Sequence, residues 1–209
     1  MYSTLSRRAA KVLILLWAAL VLRRYYPFET LFSYHPLSLV LFDVVLVFSV
    51  DLSIAAKEIR GQKNDALRDE YLSRHKYGML CSMFLSLAGI AVIVSNKVKS
   101  GKGFLFLSGR LPSTHGYSGI LWVFCMFLTG FFGWVAQKKE DLPSLAIHIV
   151  GILGGSSFSS AHALVKIRHR FLGKIAIACA FIATGLGLVN HSLYTETSIL
   201  AIVYALLVL

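Results

Sequence analysis

Four histidines of this 209-residue chain, His35, His75, His115 and His169, each stand at the mouth of an apolar run of about membrane-spanning length. A neutral imidazole is a strong-field ligand for haem iron. Two of them from facing helices give a six-coordinate iron with no open site, suited to electron transfer rather than oxygen chemistry. One histidine at a helix end is readily explained as an interfacial residue wetted by lipid headgroups. Four in the same relative position ask for a chemical reason. The first three are spaced by 40 and 40 residues, and the fourth follows after 54.

The elements that must position them are membrane helices. Apolar residues make up 56% of the chain and charged ones 15%, with a mean hydropathy of +0.69, far from an ordinary soluble domain. Apolar runs at 9–26, 36–56, 76–96, 116–136, 171–191 and 196–209 predict an all-α, six-transmembrane-helix bundle forming a single domain over 1–209, with two b haems held by its central four helices. The first run follows basic residues as a signal peptide would, but no small-residue cleavage site precedes Arg23 and Arg24, so it reads as a first membrane helix. The last run ends at Leu209 and reads as a shortened sixth helix. An atypical segment, 137–168, separates the fourth and fifth runs; its middle is apolar but short, glycine-rich and followed by serines, and is read as irregular.

The net charge of +11 sits in short clusters at the ends of apolar runs, without a nucleic-acid motif, so it reports topology rather than a nucleic-acid partner. With a cytoplasmic N-terminus, fifteen Lys and Arg fall inside and six outside, Lys97, Lys99 and Lys102 being the main dissent. The chain reverses at each helix. His35 and His115 therefore share one depth, on the outer side, while His75 and His169 share the other, on the inner side. Two haems, one near each face, would form an electron path through the bilayer.

Arg74 and Lys76 flank His75, and Arg168 and Arg170 flank His169. They serve either as a solvated positive-inside cluster or as a docking patch for ascorbate, a monoanion at neutral pH. Lys97, Lys99, Lys102 and Arg110 could attract an anionic acceptor or a chelated ferric ion on the other side. Gly78, Gly116, Gly119 and Gly173 follow the histidines closely and would either admit a flat macrocycle or pack helices together. Cys81, Cys125 and Cys179 lie inside apolar runs and are read as small hydrophobes. His148, His162 and His191 are read as loop or interfacial residues, with His162 the competitor to His169 for the fourth ligand position. Asp43 lies mid-span and must face the bundle interior or a partner; Asp51, near the inner end, has no evident role.

With these residues in place, the chain resembles the cytochrome b561 family in its short, stand-alone form without an attached extracellular domain. The resemblance covers about 28–190. It rests on Leu31-Phe32-Ser33-Tyr34-His35-Pro36, on Leu46-Val47-Phe48-Ser49, on His75, on Thr114-His115-Gly116-Tyr117-Ser118-Gly119 and on His169. It implies a six-helix bundle with two b haems, ligated by His35 with His115 and by His75 with His169. It also implies electron transfer from cytosolic ascorbate to monodehydroascorbate or a ferric chelate on the opposite side of an endomembrane (ER or vesicle) or the plasma membrane, with lipid as the surround and a homodimer allowed. The competing expectation is a histidine-dependent proton or metal transporter without haem. Such a path needs polar residues strung through the spans, which hold few apart from Asp43.

Overall fold

The computed structural model describes residues 4–60, 64–101, 114–137 and 158–190, and among these all regular structure is helical. The helices are α1 (Thr4–Tyr25), α2 (Tyr34–Ile59, entered through a 3-10 turn at Leu31–Ser33), α3 (Asp65–Lys99), α4 (Thr114–Gln137) and α5 (Phe158–Asn190). Four stretches, Leu31–Ile59, Asp65–Lys99, Thr114–Gln137 and Ala163–Gly187, are long and apolar enough to cross a membrane. The chain is thus an α-helical membrane protein, with four candidate spans among the described residues. The sixth run, 196–209, lies outside the described residues, as do 138–157 of the atypical segment, His148, His191, Lys102 and Arg110.

α1 is not one of the four. Arg7, Arg8 and Lys11 at one end and Arg23 and Arg24 at the other leave it continuously apolar only over 12–22, roughly 16 Å at ~1.5 Å per residue. Its charged end is fixed by ion pairs to α2: Lys11 Nζ lies 2.6 Å from Asp51 Oδ2, and Arg7 binds both Asp51 and Glu58. Asp51, which has no evident role in the sequence, therefore joins α1 to α2.

The described residues form two compact units, one built from α1, α2 and α3 and the other from α4 and α5 up to residue 187. In the first unit α2 packs on α1 and on α3. The face of α3 turned to α2 is built from small residues, with Ser82, Ser86 and Gly89 buried in line with Gly78. A Cβ on Gly78 would run into the Ser49 side chain, and one on Gly89 would come within 3.3 Å of Leu39 and Ser38. Small side chains let two backbones approach in lipid, where dispersion rather than water exclusion drives association. In the second unit Phe132 and Val135 of α4 pack with Val165 of α5, and the buried Cys125 and Cys179 lie close to one another across the pair.

Two expectations are corrected. His75 and His169 do not open their helices: α3 begins ten residues before His75, and α5 eleven before His169, an extra ~15 Å of helix in each case. The α3 extension is polar and stabilised locally. Asn64 caps it by accepting from the Leu67 amide at 3.2 Å, and Arg68 pairs with Asp65 and Arg74 with Glu70 at helical spacing. A search for apolar runs passes over such a segment. The end of the atypical segment is likewise helical rather than irregular, which places His162 on α5, though its side chain lies outside the described residues.

Candidate functional site

Each of the four histidines is half-buried, while the residues beside it, Tyr34, Arg74, Lys76, Thr114, Arg168 and Arg170, are exposed. In the first unit His35 Nδ1 donates to the Gly89 carbonyl at 2.8 Å, and His75 Nδ1 to the Ser49 carbonyl at 2.8 Å. In the second, His115 Nδ1 donates to the Ala183 carbonyl at 2.7 Å and His169 Nδ1 to the Thr129 carbonyl at 3.0 Å. A carbonyl only accepts, so Nδ1 carries the proton and the lone pair of each neutral ring sits on Nε2.

The four bonds obey one register. Each accepting carbonyl lies fourteen residues after the histidine of its own helix: Ser49 after His35, Gly89 after His75, Thr129 after His115, Ala183 after His169. Fourteen residues are close to four turns, which returns to the same face of the helix about 21 Å further along. Within each antiparallel pair, the first helix therefore holds the second's histidine at one end and is held by it at the other. Both units carry this reciprocal clasp, so the repeat visible as histidine spacing is a structural repeat of helix pairs, α2–α3 and α4–α5.

In the second unit glycines make room for the rings. A Cβ on Gly187 would lie 2.9 Å from His115 Cε1, and one on Gly133 would lie 3.0 Å from His169 Cε1. The glycines singled out beside the histidines play other parts. Gly78 and Gly173 sit against Ser49 and Thr129 side chains, and a Cβ on Gly119 would meet nothing within 4 Å. Gly133 and Gly187 stand four residues after Thr129 and Ala183 and could have been found from the fourteen-residue register.

These features fit axial haem ligation. The tautomer presents Nε2, the ring plane is fixed by a carbonyl as ligating histidines usually require, and the two levels in each unit stand apart by most of the ~30 Å hydrocarbon thickness. Among the described residues, no group of three or more His, Cys, Asp or Glu forms a metal cage. The basic flanks are less uniform than their spacing suggests. Arg74 pairs with Glu70, and Lys76 lies 6.0 Å from the centre of the Tyr77 ring, while Arg168 and Arg170 are exposed beside His169. No protein-family model matches the chain, and no curated protein matches it.

Proposed function

We propose that the chain is a transmembrane electron carrier of cytochrome b561 type, passing electrons from cytosolic ascorbate to monodehydroascorbate or a ferric chelate across an endomembrane or the plasma membrane. The observation that carries the proposal is the fourfold Nδ1–carbonyl clasp in one fourteen-residue register. Interfacial histidines wetted by headgroups have no reason to share a tautomer, a partner type and a register.

In this reading each histidine would offer Nε2 to haem iron, His35 and His115 holding one haem and His75 and His169 the other, the pairing the resemblance implies. Bound haem supplies one-electron redox chemistry with no open coordination position. The carbonyl partners hold the rings in place and raise their basicity as ligands. Arg74, Lys76, Arg168 and Arg170 attract the ascorbate anion to the inner end, and their effect weakens with ionic strength because they are solvent-exposed.

The test is a dithionite-reduced minus oxidised spectrum of the purified protein with haem quantified per chain. Two b haems per chain are expected. A colourless preparation, made with ample haem supply, overturns the reading.

A further inference from the structure

We propose that Asp43 is a proton-binding site at the midpoint of the first unit, taking up a proton when the histidine-held centres are reduced and releasing it when they are oxidised. The inference rests on the haem reading above and adds a site that electron transfer alone does not require.

Asp43 is 0% exposed on a helix that is a candidate span. Its position is central. It lies eight residues after His35 and six before Ser49, whose carbonyl holds His75, so the two histidine levels are roughly 12 and 9 Å away along the axis. The registers set by His35–Gly89 and His75–Ser49 bring Ser82 of α3 level with it, with Ser86 one turn further; those set by Lys11–Asp51 and Arg7–Asp51 bring Trp17 of α1 level from the other side. All three are buried, at 1%, 0% and 2% exposure.

The chemistry of these neighbours suits both forms of a carboxyl group. Ser82 Oγ donates to the Gly78 carbonyl at 3.0 Å and Ser86 Oγ to the Met83 carbonyl at 2.7 Å, so each hydroxyl turns lone pairs outward and can accept from a protonated acid. Trp17 Nε1–H is a donor only, is buried, and has no hydrogen-bond partner among the described residues; it suits the carboxylate. Among the described residues, the charged and titratable groups nearest this level on the three helices are Arg7 and Lys11 on α1, Asp51 and His35 on α2, and His75 and the exposed Cys81 on α3. Lys11 and Asp51 are bound to one another.

A ferric bis-imidazole haem carries one more positive charge than the ferrous form. At about 10 Å and an effective dielectric near 20, one unit charge alters the proton affinity of a carboxyl group about tenfold. One electron entering thus draws up to about half a proton from water onto the Asp43 carboxylate, and the electron's departure returns it.

The experiment uses haem-loaded full-length protein in lipid vesicles, comparing wild type with Asp43→Asn by infrared redox difference spectra and by potentiometric titration across pH. The expected result is a protonated-carboxyl band that appears on reduction and is lost in Asp43→Asn, together with a haem midpoint that falls with pH in wild type and less steeply in the variant. Normal haem bands with no carboxyl band and identical pH slopes overturn this inference while leaving the haem reading intact. Absence of haem overturns both. Should Asp43→Asn fail to assemble, Ser82→Ala decides, since removal of an acceptor is expected to displace the band; an unmoved band refutes the assignment.

Discussion

Gly187→Ala offers the sharpest test of the clasp. The added methyl would stand 2.9 Å from His115 Cε1 and 3.1 Å from Nδ1, so the ring must retreat by about 0.5 Å to reach ordinary van der Waals contact. The displaced atom is the one that donates to the Ala183 carbonyl at 2.7 Å, four residues before Gly187 on the same helix. Three effects compete. Alanine gains about 0.8–1 kcal/mol of helix propensity over glycine, overpacking costs about 1–3 kcal/mol, and loss of the hydrogen bond costs about 0.5–1.5 kcal/mol. The net expectation is a destabilisation of about 0.5–3.5 kcal/mol, with loss of the haem that His115 would ligate. Gly119→Ala and Gly130→Ala are the controls, because a Cβ at either position meets nothing within 4 Å. They should leave haem content unchanged and match or exceed wild-type stability. The assay is thermal unfolding in detergent alongside haem per chain. If Gly187→Ala melts with the controls and keeps its full haem complement, the clasp does not position the ligand.

His169→Ala is expected to remove about half of the haem and slow reduction by ascorbate, while His162→Ala is expected to do neither; the reverse pattern in haem-per-chain measurements would move the fourth ligand to His162. Arg74→Gln with Lys76→Gln should raise the ascorbate concentration needed for half-maximal haem reduction without changing haem content, and unaltered kinetics would reduce these side chains to a topology signal. The Glu70 partner of Arg74 makes Arg168 and Arg170 the stronger pair, so the same substitution there should have the larger effect. Asp51→Asn removes the negative charge that both Arg7 and Lys11 bind in a partly buried setting, and a loss of about 1–3 kcal/mol in thermal stability is expected, between the values for exposed and buried pairs. A double-mutant cycle with Lys11→Met checks the Lys11–Asp51 part of it, and zero coupling would show that this pair does not help to hold α1.

The sequence by itself determined the membrane class, the four central helices and the four histidines, because all of these are written in local composition: runs of apolar residues near 20 long with a polar punctuation at one end. It also placed Asp43 inside the protein, since a carboxylate facing lipid is too costly to keep. It did not disclose that α3 and α5 extend ten and eleven residues before their histidines; for α3 the reason is that a solvated helix held by an Asn64 cap and Arg–acid pairs carries no apolar signature. Nor did it single out Ser49, Gly89, Thr129 and Ala183. Each contributes a main-chain carbonyl, a group every residue possesses, and only the antiparallel register of two packed helices selects which carbonyl meets which ring. Gly133 and Gly187 were hidden for the same reason, their role being space for a side chain 36 and 72 residues away. The pairing of Asp51 with Arg7 and Lys11, and the meeting of Cys125 with Cys179, likewise depend on which helices pack together. What the tertiary structure decided is thus the set of contacts between residues distant in the chain, where burial and register choose among groups that local composition cannot tell apart.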